Sequence, residues 1–335
     1  MRSVPAVTLP SFGAASGPVR AKNTCRSLNI LNIFGSTVTA TVFATALFES
    51  SQPAPAMTKP TRPLLTWPDL TSRPQPKPDA MVAYGPAPEQ QVDVWLPPVA
   101  SGQLRRTVLM VHGGCWTTSI ADRSLMNWIA ADLRTHGYAV WNIDYRGVDR
   151  PGGGYPGTFL DTAAAADALG ANAARFRLDA RHVVAVGHSA GGHLALWLAG
   201  RARLPAASPL RTAAPLRIAH VISLGGLPDL EATAASPDNG CGTEVVGKLV
   251  GDPPHYADTS VPRLLPLGVS QDLVNGREDR IIPYRLATDY VARARAAGDR
   301  ATLHPVPATG HVELIAPESA AWAQTRRLIA ASFAR

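Results

Sequence analysis

Residues 183–200 read VVAVGHSAGGHLALWLAG, a continuous apolar stretch that becomes an alanine- and leucine-rich one through a serine set among glycines. A β-strand that turns into an α-helix without a spacer forces the turning residue out of ordinary backbone geometry. Small residues on either side are then needed so that neighbouring backbones can approach. Ser189, between Gly187 and Gly191, has two readings here: a nucleophile on a sharp strand-to-helix turn, or the N-cap of an ordinary helix. A simple N-cap serine has no need of glycines two before and two after it. The spacing favours the nucleophile.

The rest of the chain repeats strand, turn and helix. Apolar or alternating runs at 81–85, 91–97, 107–114, 138–146, 182–188, 218–226, 266–276 and 301–308 read as strands. Segments with helical spacing at 124–137, 158–176, 191–202, 284–297 and 317–333 lie between or after them. Strands alternating with helices of this length form βαβ units, which predicts an α/β fold with a mostly parallel, eight-stranded type of sheet covered on both faces. In such sheets the working groups sit at the carboxyl ends of the strands. The stretch 231–266 is too long for a simple connection and reads as a short cap insertion with one helix near 243–250.

Charge separates the chain into a leader and a body. Residues 1–78 carry eight Lys and Arg against two acidic residues, so six of the seven net positive charges lie there. The body has no basic stripe to follow a phosphate backbone, which excludes nucleic acid as a partner. Residues 27–48 are uncharged, follow Lys22 and Arg26, and precede an Ala-x-Ala-like site ending at Ala56. That order is expected of a secretory signal or a membrane anchor over 1–56, with a Pro-rich linker at 57–78 and a catalytic domain at 79–335. A periplasmic or secreted location follows if the leader is a signal, a cytoplasmic one otherwise; membrane association would run only through the leader. Cys25, Cys115 and Cys241 have no zinc-like or CxxC spacing, so no metal is implied, and the spacing leaves open whether Cys115 and Cys241 pair.

Serine needs a base to become nucleophilic. Of nine histidines, His311 in ATGHVELI follows the last strand through a glycine-containing loop, at the sheet edge expected for Ser189. His304 and His182 fall within or at the start of strands, and His136 ends a helix. The imidazole in turn needs a carboxylate to fix its tautomer. Asp279 in NGREDRIIP follows the preceding strand, with Glu278, Asp229 and Asp272 as alternatives. The order serine, aspartate, histidine is that of a hydrolase nucleophile-elbow triad. VHGGCW at 111–116 closes the strand at 107–114, and glycines there let backbone N–H groups turn toward a developing oxyanion. Gly114 and Cys115, with Ala190, are the candidate donors.

With HGGCW, GHSAGGHLALWL, GREDRIIP and TGHVELI in this order, residues 79–333 resemble the α/β-hydrolase fold esterases. The chain is most similar to their HGGxW group, which includes the arylformamidases and related carboxylesterases. Cys115 stands where the hormone-sensitive-lipase-like group carries a third glycine. The resemblance implies hydrolysis of a small-molecule ester or amide, such as an aryl formamide, through an acyl-enzyme, without metal or cofactor. It maps the triad onto Ser189, Asp279 and His311. It also points to His112, Gly113, Trp116 and His188 as residues shaping the oxyanion loop and substrate pocket. An aminopeptidase-like amide hydrolase and a non-catalytic binding protein of the same fold are the alternative readings.

Overall fold

The structure is a computed structural model in which residues 63–334 are described. Chain order runs α1 (Trp67–Thr71), β1 (Ala80–Ala83), β2 (Gln91–Trp95), β3 (Arg105–Val111), α2 (Asn127–Thr135), β4 (Ala139–Ile143), α3 (Gly157–Phe176), β5 (Leu178–His188) and α4 (Ala190–Gly200). It continues through β6 (Ile218–Leu224), α5 (Leu230–Ala234), α6 (Thr243–Val250), α7 (Tyr256–Thr259), β7 (Ser270–Gly276), α8 (Tyr284–Ala296), β8 (Ala301–Val306) and α9 (Ala320–Phe333). The described strands form one eight-stranded sheet in the order β1-β2-β4-β3-β5-β6-β7-β8. β1–β2 and β2–β4 are antiparallel; every other pairing is parallel. β1 at one edge has four residues, and β8 at the other contains Pro305.

Successive side chains of a strand point to opposite faces, so each buried strand feeds two cores. Leu109 and Val111 of β3 join Val183 and Ala185 of β5 in the core under α3, α4 and α8. Val108, Met110, Val184 and Val186 pack with Trp128, Ile129 and Leu133 of α2 and Trp322 and Ile329 of α9 on the other face. α2 ends where the sequence places its stop: Gly137 takes φ +84° and the Tyr138 N–H returns to the Leu133 carbonyl.

Two elements differ from expectation. β7 begins at Ser270, not 266, because the N–H groups of Leu267 and Gly268 donate to the Asp299 carboxylate at 2.7 and 2.8 Å and leave the ladder. The second difference is the Pro-rich stretch expected as a linker over 57–78. From residue 63 it packs on the domain as a strap. Thr66 and Asp69 form a capping box that starts α1, and Leu70 is fully buried in the second core. Arg73 pairs with Glu318 (2.6 Å), while the Pro74 and Pro76 carbonyls accept from Trp128 Nε1 and Asn127 Nδ2. The prolines suit this path, since the strap needs few N–H donors of its own.

The insertion 231–266 holds α6 at the expected place, with α5, α7 and a 3₁₀ turn around it. Val246, Leu249 and Val250 are buried in the first core, and the carbonyls of Asp258 and Thr259 accept from Trp197 Nε1 and His193 Nε2 on α4. Most of the insertion is thus part of the domain wall. Expectations for the leader 1–56 fall outside the described residues, and among the described residues no helix is long and apolar enough to cross a membrane.

Because the strap contributes buried side chains, a chain starting at residue 79 is expected to melt at least about 5 °C below one starting at residue 57. Differential scanning calorimetry of the two chains checks this, and equal melting would show the strap to be dispensable.

Candidate active site

Ser189 sits between β5 and α4 at φ +54°, ψ −122°. This left-handed backbone is strained for a residue with a side chain, and two close approaches enforce it. A Cβ on Gly187 would stand 2.0 Å from the Gly191 carbonyl oxygen, and one on Gly191 would stand 2.2 Å from that of Val111. The Ser189 N–H donates to Leu224 O on β6 at 2.8 Å, fixing the turn from a third side. A serine that merely capped a helix would accept an N–H with its hydroxyl; Ser189 makes no such cap bond, and its side chain lines a cavity.

His311, after β8, lines the same cavity. Its Nδ1–H donates to Asp279 Oδ2 at 2.7 Å, and both side chains are almost fully buried. The other Asp279 oxygen accepts from the Ile281 and Ile282 N–H groups at 2.8 and 2.9 Å. With Nδ1 protonated toward the carboxylate, Nε2 keeps its lone pair and can take a proton from a hydroxyl. The alternative carboxylates are occupied elsewhere. Glu278 accepts the Thr309 N–H, Asp229 caps α5 and pairs with Arg293, and Asp272 lies between His220 and His304 at 2.7 Å from each.

Gly114, Cys115 and Trp116 follow β3 with three successive positive φ angles of +99°, +51° and +53°. Gly114 and Cys115 line the cavity, and among the described residues their N–H groups donate to no protein acceptor. Ala190, at the first position of α4, likewise has an N–H beyond the reach of the helix ladder. Gly114 and Cys115 therefore border the cavity that Ser189 lines, while Ala190 follows Ser189 directly without lining it. Cys115 is bonded to Cys241, which settles the pairing that spacing left open and leaves neither sulfur as a free thiol.

The four expected pocket residues divide. His188 lines the cavity; His112, Gly113 and Trp116 do not. His112 points back under the loop, its Nε2 2.9 Å from Asp144 and its Nδ1 2.7 Å from the Gly113 carbonyl, stacked on Tyr145. Trp116 is fully buried and donates from Nε1 to His193 Nδ1 at 3.3 Å. A Cβ on Gly113 would strike His188 Nδ1 at 2.7 Å and Ser189 Cβ at 3.0 Å, so this glycine makes room without lining the pocket. The loop is anchored below by His112 and Trp116, and only its middle faces the cavity.

That cavity has a volume of about 380 Å³. Sequence reasoning missed most of its wall. Trp67 and Thr71 come from the strap; Ile120, Ala121 and Leu125 from the segment before α2; Gly240, Arg280 and Ile281 from the insertion and the Asp279 loop. The Trp67 ring stands edge-on to both His188 and His311, with centroids 6.2 Å from each. The Thr66-x-x-Asp69 capping box was the available signal for that helix, within a stretch dominated by prolines. Among the described residues no group of three or more His, Cys, Asp and Glu is placed to hold a metal ion.

Burial disfavours the charged form of two imidazoles near the site. His188 is held well below the usual histidine range by burial and then by the neighbouring His311; its Nε2–H donates to the His311 carbonyl at 3.2 Å. Burial likewise lowers His193 to about 4 against the donation to Thr259 O, consistent with a neutral ring that accepts from Trp116 at Nδ1.

The sheet order and the strand-to-helix serine are those of the α/β-hydrolases. Residues 92–292, more than half of the chain, match the BD-FAE family model, and the chain belongs to that family. It is 26% identical over 247 residues to the esterase LipC of Mycobacterium tuberculosis, covering 69% of this chain. The chain spans 58% of the length of that curated relative. A truncated carbohydrate esterase from gut microbiota superposes with a TM-score of 0.63 at 18% identity, covering 78% of this chain and 99% of that one. Esterase B from Lactobacillus rhamnosis, inhibited by a tributyrin phosphonate, gives 0.63 at 19% identity, covering 77% and 88%. At these identities the likeness shows the fold.

The buried imidazoles set a pH dependence. Unfolded His193 takes up a proton as pH falls through 6.5, whereas the folded ring resists until about 4. Its contribution is therefore complete above pH 6.5 and declines between 6.5 and 4, by up to about 3 kcal/mol. Urea unfolding at pH 7.5 and pH 5 should show this decline, and His193→Gln should flatten it. A variant with an unchanged decline would place the proton uptake on another group.

Proposed function

We propose that this protein is a serine hydrolase that cleaves small carboxylic esters through an acyl-enzyme. The observation that carries the reading is Ser189 on a left-handed turn, sharing one cavity with an imidazole whose Nδ1 is held by Asp279. Ser189 Oγ attacks the ester carbonyl while His311 Nε2 removes its proton, and Asp279 stabilises the resulting imidazolium. The Gly114, Cys115 and Ala190 N–H groups receive the carbonyl oxygen as it becomes negative; losing one such donor typically costs on the order of 100-fold in rate. His311 then protonates the departing alcohol. Water, activated by the same imidazole, attacks the acyl-enzyme and releases the acid.

Two things support the ester as substrate bond: the similarity to LipC and to the carbohydrate esterase, and the apolar character of Trp67, Ile120, Leu125 and Ile281 around the serine. The phosphonate inhibition of the Lactobacillus esterase is what an activated serine would undergo. An aryl formamide would pass through the same steps, and the proposal includes it as a second substrate class. We also infer an oxidising compartment, periplasmic or extracellular, since the Cys115–Cys241 bond would be reduced in a reducing cytosol. N-terminal sequencing of the mature protein in cell fractions tests that location.

p-Nitrophenyl acetate and N-formylkynurenine are the test substrates, beside a fluorophosphonate probe with the modified peptide mapped by mass spectrometry. Ser189→Ala and His311→Ala should each lower kcat by at least about 1,000-fold. Trp67→Ala should raise KM several-fold by removing an aromatic wall. An active Ser189→Ala variant, or a wild-type protein with no turnover and no label on Ser189, would leave a binding role for the fold.

A further inference from the structure

The Cys115–Cys241 disulfide joins two segments 126 residues apart; Cys115 lines the cavity, and Cys241 follows Gly240, which also lines it. Its position is best understood from the backbone at Cys115. In the stretch Gly114–Cys115–Trp116 all three residues are left-handed, yet only the first is a glycine. For a residue with a side chain that conformation is sterically unfavourable, and it persists only where the surroundings over-determine it. Trp116 is held by its buried indole and by the Val148 N–H, which donates to its carbonyl at 2.7 Å. The Cys115 side chain is held by the bond to Cys241.

The far end of that bond is itself fixed. The Cys241 N–H donates to Asn239 Oδ1 at 3.0 Å, and the buried Asn239 amide donates to the carbonyls of Thr233 and Ser236. The Gly240 N–H donates to Ile281 O at 2.7 Å, and a Cβ on Gly240 would stand 2.8 Å from the Ile281 side chain. Ile281 in turn donates its N–H to the Asp279 carboxylate that holds His311. A continuous path therefore runs from the candidate oxyanion loop, through the disulfide and the insertion, to the acid of the triad.

We propose that the Cys115–Cys241 disulfide is a positioning device for catalysis: it holds Cys115 left-handed so that the Cys115 N–H faces the oxyanion, and it ties that donor to the Asp279 loop. Cys241 is then a positioning residue acting through Cys115. The inference rests on the esterase reading above. Without the bond, β3 and the buried Trp116 still fix the ends of the loop, so relaxation at Cys115 turns the peptide plane between Gly114 and Cys115. That plane carries the donor. Ground-state binding of the ester depends on other walls of the cavity, so the loss should fall on kcat.

The test compares p-nitrophenyl acetate kinetics of wild type, C115A/C241A and C115G/C241A. The double-alanine variant should lose at least about 10-fold in kcat, with KM changed less than about 3-fold, because an oxyanion donor acts in the transition state. Glycine enters the left-handed region without steric cost, so C115G/C241A should regain at least about 3-fold in kcat over the double alanine. A disulfide that only stabilised the fold predicts the reverse order, since glycine at 115 adds freedom to the unfolded chain. Wild type reduced under native conditions, with both thiols confirmed by alkylation and mass spectrometry, should lose kcat to the same extent and recover it on reoxidation. That arm decides the matter if a variant fails to fold. Full kcat in the reduced protein, or a glycine variant no faster than the alanine one, overturns the proposal. Oxidised wild type that neither turns over esters nor labels at Ser189 overturns the esterase reading and this inference together.

Discussion

The turn from β5 into α4 exists because main chain occupies the places where side chains would otherwise stand. The Gly191 Cα faces the Val111 and His112 carbonyls at the end of β3, and Gly187 faces the Gly191 carbonyl. These contacts put the end of β3 and the start of α4 in register. The loop after β3 and the serine after β5 can then border the same space. A methyl group on Gly191 would force α4 away from the end of β3, and one on Gly187 would force the start of α4 away from β5. The parallel pairing of β3 with β5 and of β5 with β6 supplies the rigid floor for this arrangement.

Around that turn the imidazoles are sorted by burial and by partners. Two of them line the cavity. His311 has a carboxylate at Nδ1, so a proton arriving at Nε2 meets a compensating charge. His188 has a carbonyl at Nε2 and, among the described residues, a buried Nδ1 without a partner, and its burial opposes protonation. In the proposed reaction a proton taken from Ser189 therefore has one favourable destination. His193, further back, is also kept neutral, and its two nitrogens join Trp116 of the loop after β3 to Thr259 of the insertion. The serine helix thereby serves as the post to which both neighbouring segments are attached.

Much of this was legible in the sequence because a parallel strand buried on both faces is written as a nearly continuous apolar run, and a strand-to-helix serine needs glycines at fixed offsets. Asp279 and His311 were legible for a topological reason: both follow strands whose carboxyl ends share one edge of the sheet. The directions of side chains were not. HGGCW places the backbone of His112 and Trp116 at the site, but burial beside Asp144 and His193 turns both rings away from the cavity. The strap was obscured by its prolines, which mark an extended chain whether or not it is packed, and Trp67 went unnoticed with it. The disulfide could not be inferred because its partners are brought together only by the complete fold.

The two outer strands of the sheet also bear on how copies of the molecule meet. A parallel sheet with open edges offers unpaired N–H and carbonyl groups to any extended chain that comes alongside. Here β1 is only four residues long, and β8 carries Pro305, which has no N–H to give. Neither rim is a good template for an added strand. Growth of the described sheet from one molecule to the next is discouraged at both ends.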